Sequence, residues 1–306
     1  MFTTKTSLII PTKNRSLKII KLLKSISRLK IKFNEIIIVD SSNKKHKEAL
    51  LNYIKKKKIK LIFSRPSTTH QRNIGLKIKK KNSIFILFLD DDIMINKKSF
   101  LEMDKAIIKY SDQKKICSFG FNLKTNSRNF KFEKLKKSKI LRFFGIYDSV
   151  AGKVLESGWH TKISNLKKDT FVEWIYTGAT IYKSKIIKNK KLKDLNKGFN
   201  YLEDLYFSYH FTKKKFKHVV IAKAQVLNSN IVTRNNFKFG FIEILNRYKF
   251  VDNYLLNKQK FYFTAFLRSI FIMVNLLSFD FNTIFRFFGN LKGIMFCLFL
   301  DIKKIK

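Results

Sequence analysis

The chain has 306 residues, 45% of them hydrophobic, and carries 65 Lys+Arg against 21 Asp+Glu, a formal charge of +44. That apolar content excludes a disordered polycation and is enough for one large globular domain with an appendage, while the charge predicts attraction to phosphate in nucleic acid, nucleotide sugars or anionic lipid head groups. Cys117 and Cys297, far apart in apolar stretches, provide neither a disulfide framework nor a thiolate metal site.

The chain opens MFTTKTSLIIPT, without the basic lead, apolar core and small-residue cleavage site of a secretion signal, so a cytoplasmic protein at the cytosolic face of the membrane is expected. The nearly continuous apolar runs at 7–10, 35–39, 59–63 and 84–89 predict strands buried on both faces of a parallel sheet. Between them, 16–29, 46–56 and 68–80 carry apolar residues at helical spacing with Lys on the other face. This alternation predicts an α/β fold with a Rossmann-like, mostly parallel sheet flanked by helices and right-handed crossovers. Ligands of such sheets bind beyond the carboxyl ends of the strands. Polar residues cluster there: Pro11 to Arg15, Asp40 to Asn43, Ser64 to Pro66, and Asp90 to Asp92.

Further along, 115–122 and 171–183 read as strands, 131–139 as a Lys-rich solvated loop, 203–215 as a helix and 218–226 as a strand. From about 237 the chain becomes Phe-rich helix. Its two most apolar runs, 261–279 and 281–300, approach membrane-spanning length but are interrupted by Arg268, Arg286 and Lys292. Helices lying in a membrane interface are expected, the alternative being a helical hairpin packed on the domain before it.

The stretch Phe85 to Ile95, FILFLDDDIMI, sets three adjacent carboxylates at the end of the most apolar strand, where like charges repel and resist burial. In an extended segment Asp90 and Asp92 share a face and Asp91 points the other way. The pair would offer hard oxygen ligands to Mg²⁺ or Mn²⁺, with water and a diphosphate filling the remaining positions. The competing reading is an acidic turn that caps the helix at 96–108.

In this order and spacing, SLIIPTKNR, IIIVDSS, RNIGL, FLDDD, WIYTGATIY and YLEDLYFSYHFTKKKFK resemble the family 2 glycosyltransferases over about residues 5–235. The resemblance implies a GT-A fold over 1–236, with a nucleotide-binding half (1–115) and an acceptor-side half (116–236), followed by a hydrophobic helical extension, 237–306. It also implies that Pro11, Thr12, Asn14, Arg15 and Asp40 surround the nucleotide and that Arg72, Asn73, Asp90 and Asp91 complete the nucleotide-sugar site. Asp90 and Asp92 are the expected metal ligands. Ser41 stands where the commoner pattern has a second Asp, which leaves the nucleobase open. Arg72 would fork onto phosphate or brace a carboxylate, Gly75 permits close helix packing, and His70 reads as structural.

In the family an acidic pair in the position of Glu203 and Asp204 supplies the general base; Asp204 matches its second member. The same pair would also favour the N-terminus of its helix. Gly178 and Trp174 fall on the acceptor side, Gly178 admitting a substrate and Trp174 stacking on a sugar or packing as core. Where many relatives place a metal-binding His, this chain offers Asn228 and Asn230, with Arg234 a candidate phosphate contact. The resulting expectation is a metal-assisted inverting glycosyltransferase that uses a nucleotide-diphosphate sugar and a glycan or lipid-linked acceptor for cell-envelope polysaccharide, with peripheral membrane contact through 237–306 and no nucleic-acid partner. The alternative is a basic protein that binds nucleic acid or a membrane surface through a non-catalytic α/β domain. No nucleic-acid module is recognisable, and the acidic triplet would repel a phosphate backbone.

Overall fold

The computed structural model describes residues 1–125, 138–195, 200–228, 236–273 and 281–305. They form two compact units, one from the described residues of 1–126 and 163–230, the other from those of 127–162 and 231–306. The described part of 127–162, assigned from sequence to the acceptor-side half, thus belongs to the helical unit.

In the first unit β1 (Thr6–Thr12), α1 (Ser16–Arg28), β2 (Glu35–Asp40), α2 (Lys44–Ile54), β3 (Ile59–Phe63), α3 (Thr68–Ile78) and β4 (Phe85–Leu89) follow the predicted alternation closely. A short β5 (Ile93–Met94), α4 (Lys97–Lys109) and β6 (Ile116–Lys124) come next. After α5 (Lys139–Phe143), which belongs to the other unit, come β7 (Thr170–Val172), β8 (Ala179–Lys183), α6 (Ser184–Ile187), α7 (Glu203–Lys213) and β9 (Lys217–Asn228). Every residue of β1 is buried, as a strand covered on both faces requires. In α1 the buried residues Ile19, Leu22, Leu23 and Ile26 recur at helical spacing. The side chains of Asn43, Ser67 and Asn96 cap α2, α3 and α4 by accepting from backbone N–H groups. Since Asn96 caps α4, the acidic triplet does not.

Among the described residues, nine strands form one sheet in the order β3-β2-β1-β4-β8-β6-β9-β5, with β7 also on β9. Pairing makes β1–β4, β6 and β9 run one way and β5, β7 and β8 the other, so the sheet is mixed but mostly parallel. Register brings Thr12 beside Asp40, and β4 ends at Leu89 beside Ala179 of β8. The carboxyl ends of β1, β2 and β4 therefore open on one edge. There, the Gln71 side-chain amide donates to the carbonyls of both Thr12 and Val39, each at 2.7 Å, and ties β1 to β2. A Cβ on Gly75 would meet Ile9 Cγ2 at 2.4 Å, so α3 packs on β1 at a distance only glycine allows.

The second unit contains α5, α8 (Phe237–Asn253), α9 (Lys258–Met273) and α10 (Asn282–Ile305). Its core gathers Leu155, Trp159, Ile244, Tyr248, Phe261, Ala265 and Cys297. The inward faces of these helices thus pack within this unit. Their outward faces remain apolar, with Phe285, Phe288, Met295, Phe299 and Ile302 of α10 exposed. Of the Lys-rich segment expected to be a loop, 131–137 lies outside the described residues, and Lys139 opens α5.

Candidate active site

The acidic triplet divides differently from the period-two expectation. Ile93 N–H donates to Asp90 O at 3.2 Å, closing a turn just past β4. That turn breaks the alternation assumed for an extended chain, so Asp91 and Asp92 share one partner and Asp90 faces another. Arg15 Nη1 lies 2.9 Å from Asp91 Oδ1 and 3.2 Å from Asp92 Oδ2. Thr12 Oγ1 donates to Asp91 Oδ2 at 2.6 Å. Burial pushes the Asp91 carboxyl up to about 6, although the Thr12 hydrogen bond and Arg15 pull the other way.

Asp90 turns toward α3. Arg72, buried at 2% side-chain exposure, places Nη2 2.8 Å from Asp90 Oδ1 and Nη1 3.5 Å from both Glu203 Oε1 and Asp204 Oδ1. One guanidinium thus joins the triplet to the acidic pair. Burial opposes its charge, but Asp90, Asp204 and Glu203 outweigh that and hold it protonated. Tyr176 Oη donates to Asp90 Oδ2 at 3.2 Å, and Asp90 N–H donates to Gly178 O at 2.8 Å. Asp90 is therefore committed to protein partners through both oxygens, and Asp92 pairs with Arg15.

Glu203 and Asp204 open α7 directly after Leu202, whose φ of 74° is left-handed and unusual for a branched side chain. No side chain caps this helix; the acidic pair itself occupies its first turn. Asp204 Oδ1 accepts from Thr177 N–H at 3.2 Å. Burial raises both carboxyls, and Asp204 raises Glu203 further, while Arg72 counteracts the shift in each. Burial that raises a carboxylate's affinity for protons suits it to accept one.

At the nucleotide end, Asp40 is fully buried, and its Oδ1 accepts from the backbone and hydroxyl of Ser42. Its Oδ2, also buried, has no hydrogen-bond partner. A buried, unpaired carboxylate oxygen costs free energy unless a donor arrives. Asn14, at φ 52°, takes Ser42 Oγ on its N–H at 2.6 Å and accepts from Asn43 N–H at 2.8 Å through its side chain. Pro11 is a buried strand residue beside Val39, shaping the turn with its backbone.

Three expected site residues have structural partners instead. Both ends of the Asn73 amide are taken by the backbone of Leu192, at 2.9 and 2.8 Å, so it braces a loop and does not face the nucleotide edge. Trp174 is half-buried against the core around Ile175 and Phe207, its core alternative. Gly178 is needed because a Cβ there would stand 2.1 Å from Asp90 Oδ2; the group it admits is that carboxylate. Asn228 pairs with Ile93, just beyond the triplet, whereas Asn230 and Arg234 lie outside the described residues. Gln71 and Tyr176 were not foreseen as site residues. Both lie inside or next to the RNIGL and WIYTGATIY motifs, the signal that could have found them.

Among the described residues of this cleft, the guanidiniums of Arg15 and Arg72 stand against the five carboxylates of Asp90, Asp91, Asp92, Glu203 and Asp204. No three acidic, His or Cys side chains among them converge as a cage for an ion. Such a donor set suits a cation that takes few protein oxygens and completes its shell with substrate phosphates and water, as Mg²⁺ does.

The family model described as glycosyl transferase family 2 matches residues 7–166. No curated protein matches the chain. Among solved structures, the mannosyltransferase PcManGT from Pyrobaculum calidifontis, in complex with GDP-Man and Mn²⁺, is similar at a TM-score of 0.56 and 10% identity, covering 95% of this chain and 87% of that one. Residues 1–349 of S. aureus TarS are similar at a TM-score of 0.50 and 17% identity, covering 90% of this chain and 72% of that one. At these identities the likeness establishes the fold.

Proposed function

The chain belongs to glycosyltransferase family 2 and is a glycosyltransferase, and from that premise we propose that it moves a sugar from a nucleotide-diphosphate donor to a glycan or lipid-linked hydroxyl with inversion at the anomeric carbon. The observation that carries this reading is the Arg72 bridge, because it fixes the acidic pair and the acidic triplet on one polar edge of the sheet. In the reaction an acceptor oxygen forms a bond to the anomeric carbon as the bond from that carbon to the diphosphate oxygen breaks. The bonding pair leaves with the diphosphate, and the acceptor's proton passes to Asp204, beside Glu203, its affinity for protons raised by burial and by Asp90. Asp40 Oδ2, Thr12 and the Asn14 turn would hold the nucleoside, and Arg15 would orient Asp91 and Asp92.

Asp92, with Asp91 or Asp90 in support, would hold a divalent cation, Mg²⁺ or Mn²⁺, whose chemistry is to neutralise the leaving diphosphate. The neighbour in complex with GDP-Man and Mn²⁺ supports both donor class and cation. The exposed apolar residues of α10 and the charge of +44 favour peripheral contact with the cytosolic face of a membrane, close to an envelope-polysaccharide acceptor. The test is a melting-temperature panel of nucleoside diphosphates with and without Mn²⁺, followed by sugar transfer with the nucleotide so identified. One diphosphate should stabilise the protein in a metal-dependent way, and Asp204→Asn should reduce turnover by about 10²-fold or more. Undiminished transfer by that variant would overturn the assignment of the base.

A further inference from the structure

Among the described residues, two arginines stand against the acidic triplet, and they are held in opposite ways. The Arg72 side chain is 2% exposed and its guanidinium contacts Glu203 and Asp204 as well as Asp90, so it is built into the interior. The Arg15 side chain is 42% exposed and reaches both Asp91 and Asp92 through one nitrogen, Nη1, at 2.9 and 3.2 Å. The carboxylates beneath it are far less accessible, at 4% and 12%. Arg15 is thus a cation laid from the solvent side over two largely buried anions, on a side chain long enough to swing away from them.

The backbone beneath it is fixed independently of that contact. Arg15 follows Asn14, at φ 52°, and is the N-cap of α1, its carbonyl accepting from Lys18 N–H at 3.0 Å and Ile19 N–H at 3.1 Å while its side chain takes no part in capping. The guanidinium can therefore change partners without disturbing the helix start. With Arg15 in place, every carboxylate of the triplet already has a protein donor: Asp90 has Arg72 and Tyr176, Asp91 has Thr12 and Arg15, and Asp92 has Arg15. A divalent cation seated on Asp91 and Asp92 needs oxygens that this guanidinium occupies, and would meet a like charge beside them.

We propose that Arg15 is a placeholder for the divalent cation: it covers Asp91 and Asp92 until a donor's diphosphate draws its guanidinium onto phosphate, and so keeps affinity for the metal alone low. Guanidinium forks fit phosphate oxygens as well as they fit carboxylates. The exchange leaves each charge paired, the carboxylates with the metal and Arg15 with the diphosphate. Metal and nucleotide then bind with positive coupling, each raising the affinity of the other by the same factor. This inference rests on the reading of the triplet as the seat of the cation, and adds to it a residue of the site whose removal should tighten the metal.

The test is binding of Mn²⁺ to the full chain, followed by electron paramagnetic resonance of the free ion, without nucleotide and with UDP or GDP present. Arg15→Gln should bind Mn²⁺ alone about tenfold more tightly than wild type, a gain that loss of folding cannot produce, and should bind the diphosphate more weakly by a similar factor. Arg15→Lys, which keeps the competing charge, should stay close to wild type for the metal alone. In wild type the nucleotide should tighten Mn²⁺, and in Arg15→Gln it should do so less. A glutamine variant that binds Mn²⁺ no more tightly than wild type, in a protein whose Mn²⁺ binding still responds to nucleotide, would overturn the placeholder and leave the transferase reading standing. Mn²⁺ binding that ignores nucleotide in all three proteins would overturn both.

Discussion

Asp90 and Gly178 fit each other so closely that neither position tolerates a larger group: the Asp90 N–H donates to Gly178 O at 2.8 Å, and its Oδ2 fills the place, 2.1 Å away, where a side chain on residue 178 would begin. Gly178→Ala must therefore push the Asp90 carboxylate off Arg72 and Tyr176. Backbone on one side and a buried ion pair on the other leave little room to relax, so we expect a stability loss of about 2–4 kcal/mol and a turnover reduced by about 10²-fold. Urea unfolding and steady-state transfer measure the two effects. A variant of wild-type stability and rate would show that Asp90 has a second resting place.

Among the described residues Arg72 is the single cation that joins the triplet to the acidic pair, so its geometry, not only its charge, should matter. A lysine ammonium keeps the charge but cannot reach Asp90 while also spanning Glu203 and Asp204. Arg72→Lys is expected to fold with a loss of about 1–2 kcal/mol and to cut kcat by about 10–100-fold, with a smaller change in KM. Arg72→Gln, which leaves three partly buried carboxylates without their shared cation, is expected to lose about 3–5 kcal/mol. A lysine variant with full kcat would reduce Arg72 to structural neutralisation.

The parts of the fold legible in the sequence are those where local pattern and burial coincide. β1, β2 and β4 are buried on both faces, so their apolar runs are unbroken and their ends can be read to within a residue or two. The clustering of polar residues at their carboxyl ends followed from topology alone, and Thr12, Asp40 and Asp91 lie where it put them. The split within the triplet was not legible, because the turn closed by Asp90 and Ile93 replaces the extended geometry on which alternation depends. Nor was the membership of Trp159 in the helical core, whose partners Ile244 and Phe261 lie far along the chain. Asn73 looked like a ligand residue because an exposed amide and one bonded to the backbone of Leu192 are identical in sequence.

His218 provides a pH dependence that belongs to folding. It is fully buried, with Nδ1 2.6 Å from Ser118 Oγ and Nε2 2.9 Å from Ser208 O, so the carbonyl fixes Nε2 as the donor and the ring is neutral. Burial lowers its pKa to about 4, from 6.5. The unfolded chain then takes up a proton that the folded chain refuses. Its contribution to stability is complete above about pH 6.5 and declines as pH falls toward about 4, by up to about 3 kcal/mol in total. Urea midpoints measured across this range should show the decline, and His218→Gln should flatten it at the expense of stability near neutrality. An equally steep acid limb in the variant would assign it to other groups.

The outward face of α10 allows a choice between a core helix and a membrane-contacting one. Its stretch Asn282–Lys303 has a mean hydropathy of 1.4, long and apolar enough to cross a membrane by length and composition, yet only 28% of it is buried, too little for a core helix. Phe285, Phe288, Met295, Phe299 and Ile302 recur at spacings of three, seven, four and three residues and are each more than half exposed, which places them on one face of the helix as an apolar stripe. The opposite face is occupied: Cys297 is buried in the core with Ile244 and Ala265, and Arg286 pairs with Glu243. A helix anchored on one side by protein cannot leave it to span a bilayer without exposing that ion pair, so an interfacial position is the better fit. The pair Met295→Glu and Phe299→Glu, which touches only the stripe, should reduce partition onto anionic vesicles by about 100-fold, corresponding to two side chains worth about 1.5 kcal/mol each. Wild-type binding should also weaken as salt is raised, since part of the attraction is between the basic surface and the lipid head groups. Vesicle flotation of the two proteins across a salt series measures both effects, and equal flotation of variant and wild type would place the membrane contact elsewhere in the chain.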